Sequence, residues 1–432
     1  MTLAQTTLEI LLWGCFAAVV YAYAGYPALV YFMSRLIARR RPVPNLRDED
    51  LPTVSLLLAA YNEEDVIDGR IRNALAANYP TDRLEIVIAT DGCTDETSAI
   101  VRRYADRGVR LLEYSKRRGK AAVLNESVPQ LRGQVIMLSD ANTYTDPDAV
   151  RHLVRWFRDS VVGSVCGRLV LSDPASGKNV DRLYWKYETF IKRQESRLGA
   201  LLGANGGIYA IRKDLYVPLP PAAILDDLLI PLLAKLRTNC DIVFEPEAVA
   251  REETAAGVGA EFQRRTRIGA GGFGSLRPLA GLLDPRRGWV FFTFLSHKVL
   301  RWCCPFCLVG LLLASVILAL GGQSLYQGIL AAQLAFYATA LAAAYIPGRR
   351  MPVKILRLTT MFTGMNGALL IGFGRWVWGT QTGTWRRTAR TAERQLGSST
   401  LGSGPIIAGR RPDSREVSGA IAGMPPVLIS EA

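Results

Sequence analysis

Charged side chains are absent from residues 10–33, 302–322 and 325–347. Each run is long enough to cross a bilayer as a helix, which takes about 20 apolar residues. The first run is too long for a signal-peptide core and has no basic leader, so it is expected to stay as an anchor. Gly321-Gly322-Gln323-Ser324 predicts a tight hairpin between the other two. A further run, 358–374, is shorter and richer in Gly and Thr, and is expected either to cross or to re-enter. Arg35, Arg39, Arg40 and Arg41 follow the first run, and Arg349, Arg350, Lys354 and Arg357 follow the third. The positive-inside rule puts both groups, and the segment after the anchor, in the cytoplasm. This predicts a multi-pass inner (plasma) membrane protein. A crossing at 358–374 would carry Arg386, Arg387 and Arg390 to the far side, against that rule.

Between the apolar ends the pattern changes. Short β-branched runs at Val54–Leu58, Glu85–Ala89, Val135–Leu138, Val161–Val165 and Ile242–Phe244 predict strands. Helical periodicity occupies Val66–Ala77 and Glu96–Asp106. Strands alternating with helices predict an α/β fold with a mostly parallel sheet and right-handed crossovers. The expected organisation is an anchor at 1–34, a linker at 35–50 and a catalytic domain at 51–253. An interfacial segment at 254–301 follows, with apolar and basic residues mixed over Trp289–Trp302. A membrane region at 302–376 and a basic, then disordered tail at 377–432 complete the chain.

Composition narrows the classes. The chain has 432 residues, 49% hydrophobic and 21% charged, with a net charge of +14. That excludes a wholly disordered protein. The basic residues gather beside the apolar runs, where they suit anionic lipid rather than nucleic acid. Seven cysteines, four of them scattered singly, imply no disulfide framework. His152 and His297 have no partners at metal-ligand spacing, so Cys303, Cys304 and Cys307 are expected as apolar thiols.

The chemistry concentrates at strand ends, where open α/β sheets bind ligands. Ala60-Tyr61-Asn62-Glu63, Asp91-Gly92-Cys93-Thr94-Asp95 and Asp140-Ala141-Asn142 follow the first three predicted strands. Any one of them alone would serve as a turn or helix cap. Three in succession suit a sugar nucleotide. Asp91 is placed to accept from a base N–H, Tyr61 to border the nucleoside, and Asp140 with Asn142 to offer hard oxygens to a divalent ion. No Gly-x-x-x-x-Gly-Lys-Ser/Thr loop or Gly-x-Gly-x-x-Gly fingerprint is present. Asp226 and Asp227 open an apolar helix, as N-terminal acids or as a general base. Arg264 and Arg267 share one helical face, toward lipid or toward a departing diphosphate.

In this order the motifs resemble those of the membrane-embedded, inverting family 2 glycosyltransferases of GT-A fold. That group includes the poly-β-1,6-N-acetylglucosamine, hyaluronan, chitin and cellulose synthases. The resemblance runs from about Val54 to Trp302. It implies a GT-A domain flanked by membrane helices, a UDP-sugar donor and Mg²⁺ or Mn²⁺. It implies nucleotide-sugar contacts from Ala60, Tyr61, Glu63, Asp91, Lys120, Asp140, Arg264 and Arg267, and metal ligation by Asp140 and Asn142. Asp227 stands at the catalytic base, with Asn205, Gly206 and Asp226 beside the donor and acceptor sugars. Two positions depart from the pattern: Asn142 replaces the second Asp of the D-x-D motif, and Ile268 stands where the family has Trp. The implied product is a β-linked polysaccharide moved across the membrane, with accessory membrane subunits as further partners. The alternatives are single-sugar transfer to a membrane lipid and a non-catalytic scaffold of an export complex.

Overall fold

The structure, a computed structural model, describes residues 3–38, 41–172, 182–253, 258–345 and 351–383. Arg39, Arg40, Arg349, Arg350, Arg386, Arg387, Arg390 and the expected tail from residue 384 onward lie outside the described residues.

One sheet carries the domain. Its strands are β1 (Val54–Ala60), β2 (Leu84–Asp91), β3 (Val109–Tyr114), β4 (Val135–Asp140), β5 (Thr143–Thr145), β6 (Val162–Ser172), β7 (Tyr209–Arg212) and β8 (Asp241–Glu253). They lie in the order β3-β2-β1-β4-β7-β6-β8-β5. Pairs β1·β2, β1·β4, β2·β3 and β6·β8 are parallel, while β7 runs antiparallel between β4 and β6. This is the expected α/β architecture. β1 is buried at every position. Leu57 and Ala59 enter one core, while Leu56, Leu58 and Ala60 enter the core on the opposite face. A strand covered on both faces reads as a continuous apolar run, which made β1 and β4 visible in the sequence.

Strands β3, β5 and β7 were not expected. β3 (Val-Arg-Leu-Leu-Glu-Tyr) is an edge strand, largely half-buried and carrying charge. β5 and β7 span three and four residues. Such short segments carry too little periodicity to read, and register with neighbours decides them.

Helices α1 (Leu3–Ile37), α2 (Glu64–Leu75), α3 (Thr97–Arg102), α4 (Lys120–Ser127), α5 (Ala149–Val154), α6 (Arg182–Arg197) and α7 (Asp226–Thr238) accompany the sheet. After them come α8 (Val258–Ser275), α9 (Trp289–Leu320), α10 (Ser324–Tyr345) and α11 (Met351–Val377). Among the described residues three segments are long and apolar enough to cross a membrane, namely α1, α9 and Ser324–Ala343 of α10. Their outward faces are apolar, as at Trp13, Phe16, Leu313 and Ile317. The hairpin between α9 and α10 falls at Gly321–Gly322 as expected, with Gly322 at φ +81°.

The Trp289–Trp302 stretch differs from a separate interfacial helix. It is the first part of α9, which continues to Leu320. Val290, Phe294 and Trp302 are packed into the domain core. Beside them, Arg301 pairs with Glu188 at 2.6 Å, and His297 Nδ1 lies 2.5 Å from Glu195 Oε1. Tyr26 of α1 donates to the same Glu195 oxygen at 2.5 Å. Helices α1 and α9 thus meet on two buried carboxylates of α6.

Candidate active site

The carboxyl ends of β1, β2 and β4 open on one side of the sheet, and their loops are tied together. Asn62, at φ +52°, donates through Nδ2 to Thr94 Oγ1 (3.0 Å) and accepts from the Thr94 N–H (2.9 Å). Glu63 donates its N–H to Thr97 Oγ1 at 2.8 Å. Ala60 is fully buried and offers the pocket only backbone. Asp91 is also fully buried. Its two oxygens accept from the N–H groups of Arg118 and Gly119, each at 2.8 Å. A base N–H would therefore share an acceptor that already holds the 116–119 loop. Gly92 passes beneath that loop at φ +65°, and a Cβ there would lie 2.5 Å from the Arg117 nitrogen. Arg117 in turn stacks its guanidinium 3.8 Å from the centre of the Tyr61 ring, the surface expected to border the nucleoside.

The structure brings Lys120, Asp140, Gly206, Asp226 and Asp227 to one place. Lys120 Nζ lies 2.7 Å from Asp140 Oδ1 and 3.1 Å from Asp226 Oδ2. Burial alone would lower the ammonium, but the two carboxylates outweigh it and hold the group above its ordinary value. Asp226 also accepts from the Tyr209 hydroxyl at 3.2 Å. Asp227 has no side-chain hydrogen bond or ion pair among the described residues. Burial first, and the adjacent Asp226 second, push its carboxyl up to about 6. A Cβ at Gly206 would stand 3.5 Å from Asp227 Oδ2 and 3.6 Å from Asp140 Oδ2, so the missing side chain keeps open the space between them.

The two arginines separate. Arg264 is held in two hydrogen bonds by Glu261, at 2.8 and 3.1 Å. Arg267 makes no hydrogen bond among the described residues, and its charge is felt from Asp226, Asp140 and Asp227. Asn205 is committed elsewhere: its amide donates to Gly167 O at 2.6 Å and its oxygen accepts from Lys192. Ile268 lies exposed on α8.

Glu252 and Lys192 escaped the sequence reading. Glu252 sits on β8 opposite Thr143 of β5, and its Oε1 accepts from Asn142 Nδ2 at 3.3 Å. Burial first, and Asp140 second, push its carboxyl up to about 7. Nothing in the local sequence marks it, because Glu252 and Asn142 are 110 residues apart.

For a divalent ion the donors are of the right kind. Asp140 supplies a carboxylate, and Asn142, having given its NH₂ to Glu252, supplies an amide oxygen. Among the described residues no three His, Cys, Asp or Glu side chains form a cage. The set therefore suits an ion that takes one or two protein oxygens and completes its shell with phosphate and water, the habit of Mg²⁺.

A mostly parallel sheet with acidic strand ends, a free carboxylate and an unpaired arginine is a GT-A glycosyltransferase fold. Residues 55–217 match the model of Glycosyl transferase family 2, so this segment is a family 2 glycosyltransferase domain. The chain is 27% identical over 249 residues to a poly-β-1,6-N-acetyl-D-glucosamine synthase of Staphylococcus aureus strain MSSA476, covering 56% of this chain and 60% of the relative. It is 27% identical over 226 residues to the Staphylococcus epidermidis synthase, covering 51% and 54%. The chain thus spans little more than half the length of these curated relatives. In structure it resembles a mannosyltransferase from Pyrobaculum calidifontis, solved with GDP-Man and Mn²⁺. The TM-score is 0.66 at 21% identity, over 86% of this chain and 99% of the other.

Proposed function

We propose that the protein is an inverting hexosyltransferase that uses a UDP-sugar and a divalent ion to extend a β-linked glycan and pass it through its membrane helices. The observation that carries this reading is Asp227, a carboxylate without a side-chain partner among the described residues, raised in proton affinity by burial and Asp226 and facing the space that Gly206 leaves open. From there it takes the proton of the acceptor hydroxyl as that oxygen attacks the anomeric carbon. Attack from the side opposite the diphosphate inverts the configuration. Asp140 and Asn142 would hold the ion, which would supply charge neutralisation at the diphosphate. Lys120 and Arg267, with Arg264 further out, stabilise the departing UDP. Tyr61 and Asp91 border the nucleoside.

Ile268 favours a second reading. An exposed aliphatic side chain stands where the processive group has its acceptor-binding Trp, which suits transfer of one sugar to a lipid acceptor. Purified protein in detergent, given a panel of labelled UDP-sugars and GDP-mannose with Mg²⁺ or Mn²⁺, separates the cases by product size. Polymer supports the first reading and a single-sugar lipid the second. No transfer from any donor would leave only the scaffold role.

A further inference from the structure

We infer that Glu252 is a positioning residue for the metal site, supplying the negative charge that Asn142 lacks and fixing the amide of Asn142 with its oxygen free for the ion. This rests on the metal-dependent transfer proposed above and extends it to a residue outside the recognised motifs.

A carboxylate oxygen accepts hydrogen bonds, whereas an amide both donates and accepts. Glu252 Oε1 accepts from Asn142 Nδ2 at 3.3 Å, which turns the amide oxygen away from Glu252. An Asn in that position would otherwise be free to rotate and present its NH₂, which repels a cation. Backbone register holds Glu252 in place. Thr143 pairs with Glu252 across β5·β8, and Leu171 pairs with it across β6·β8. The backbone that carries the side chain is therefore held from both sides of its strand.

Two aspartates in the D-x-D motif would bring two negative charges to a divalent ion, while Asp140 and Asn142 bring one. Glu252, hydrogen-bonded to Asn142, restores the second charge from a different strand. Its other oxygen accepts no hydrogen bond among the described residues. Partners of metal ligands that act in this way change affinity by about 10–100-fold.

The test is Mn²⁺ binding to the full chain in detergent with UDP present, read from the free-ion signal in electron paramagnetic resonance. Thermal unfolding checks the fold of each variant. Glu252→Ala is expected to weaken Mn²⁺ by at least about tenfold while leaving metal-free UDP binding unchanged. Glu252→Gln, which can still accept from Asn142, should recover part of the loss. Combining Glu252→Ala with Asn142→Asp should restore affinity to within about threefold, because the charge returns at the motif itself. A merely structural role for Glu252 would not be rescued this way. Wild-type Mn²⁺ affinity in Glu252→Ala, or no rescue by the double variant, overturns this inference alone. Absence of Mn²⁺ binding by the unaltered protein overturns it together with the metal-dependent reading.

Discussion

Lys120 Nζ lies 3.1 Å from Asp226 Oδ2, and this contact decides which of two neighbouring acids is available for chemistry. Asp226 is held by Lys120 and Tyr209, whereas Asp227 has no such partner. Asp227→Asn is expected to reduce transfer by at least about a hundredfold, the loss of a general base, with UDP affinity retained. Asp226→Asn should instead weaken donor binding, since it leaves Lys120 held by Asp140 alone. Single-turnover rates and UDP titrations of the two variants separate these outcomes.

The same carboxyl sets a pH dependence. With Asp227 pushed up to about 6, kcat/KM should fall about tenfold per pH unit below that value and level off above it. Stability runs the other way. A raised folded-state value means that the neutral acid favours the fold, so this contribution is complete below pH 3.8 and is lost as pH rises through about 6. Asp227→Asn stays neutral, so at pH 8 it should be more stable than the parent by ~2 kcal/mol, allowing for partial solvent screening, and no more stable at pH 3.5. Thermal unfolding at the two pH values checks the sign.

Gly206→Ala tests the space between the two carboxylates. The added methyl makes ordinary contacts of 3.5 and 3.6 Å with Asp227 and Asp140, so the fold should tolerate it. A sugar entering that space would not. Steady-state kinetics should give a KM at least about tenfold higher, a loss of about 1.4 kcal/mol, with an unchanged unfolding temperature.

Arg264 and Arg267 should differ although they share a helix. Arg264 is occupied by Glu261, while Arg267 has only the site to serve. Arg267→Ala is expected to weaken UDP binding by about ten- to a hundredfold, the range of a charge-assisted hydrogen bond. Arg264→Ala should cost less than about threefold. Calorimetry with UDP and Mn²⁺ reads both.

At the seam between domain and apolar helices, Glu188 answers both Arg301 and His297. Glu188→Ala leaves a buried guanidinium without its counter-charge, and a change of this kind costs about 3–5 kcal/mol. Thermal unfolding in detergent should record it as a large drop.

Legibility in the sequence followed the range of the interaction. Asp140 and Asp227 stand beside apolar runs that declare a strand and a helix, so their positions are legible locally, while the roles proposed for them rest on the family resemblance. Lys120 was legible as a residue, but its bridge between Asp140 and Asp226 was not, because it joins β4, α4 and α7. Glu252 was invisible for the same reason, its link to Asn142 depending on the register of the three-residue β5. Asn205 was expected beside the donor and acceptor sugars, whereas Gly167 and Lys192 take up its amide. Asp91 was found from its strand end, but its hold on the 116–119 loop depends on a fold the local pattern does not encode.

Helix α9 begins inside the domain core at Val290 and Phe294 and ends among exposed apolar residues such as Ile317 and Leu320. No loop intervenes, and the paired His297 and Arg301 brace the junction from α6. Once α9 crosses a bilayer, catalytic domain and span must lean together. A thicker or thinner bilayer is met by helix tilt, so lipid length would set the angle at which the active-site mouth addresses the membrane surface.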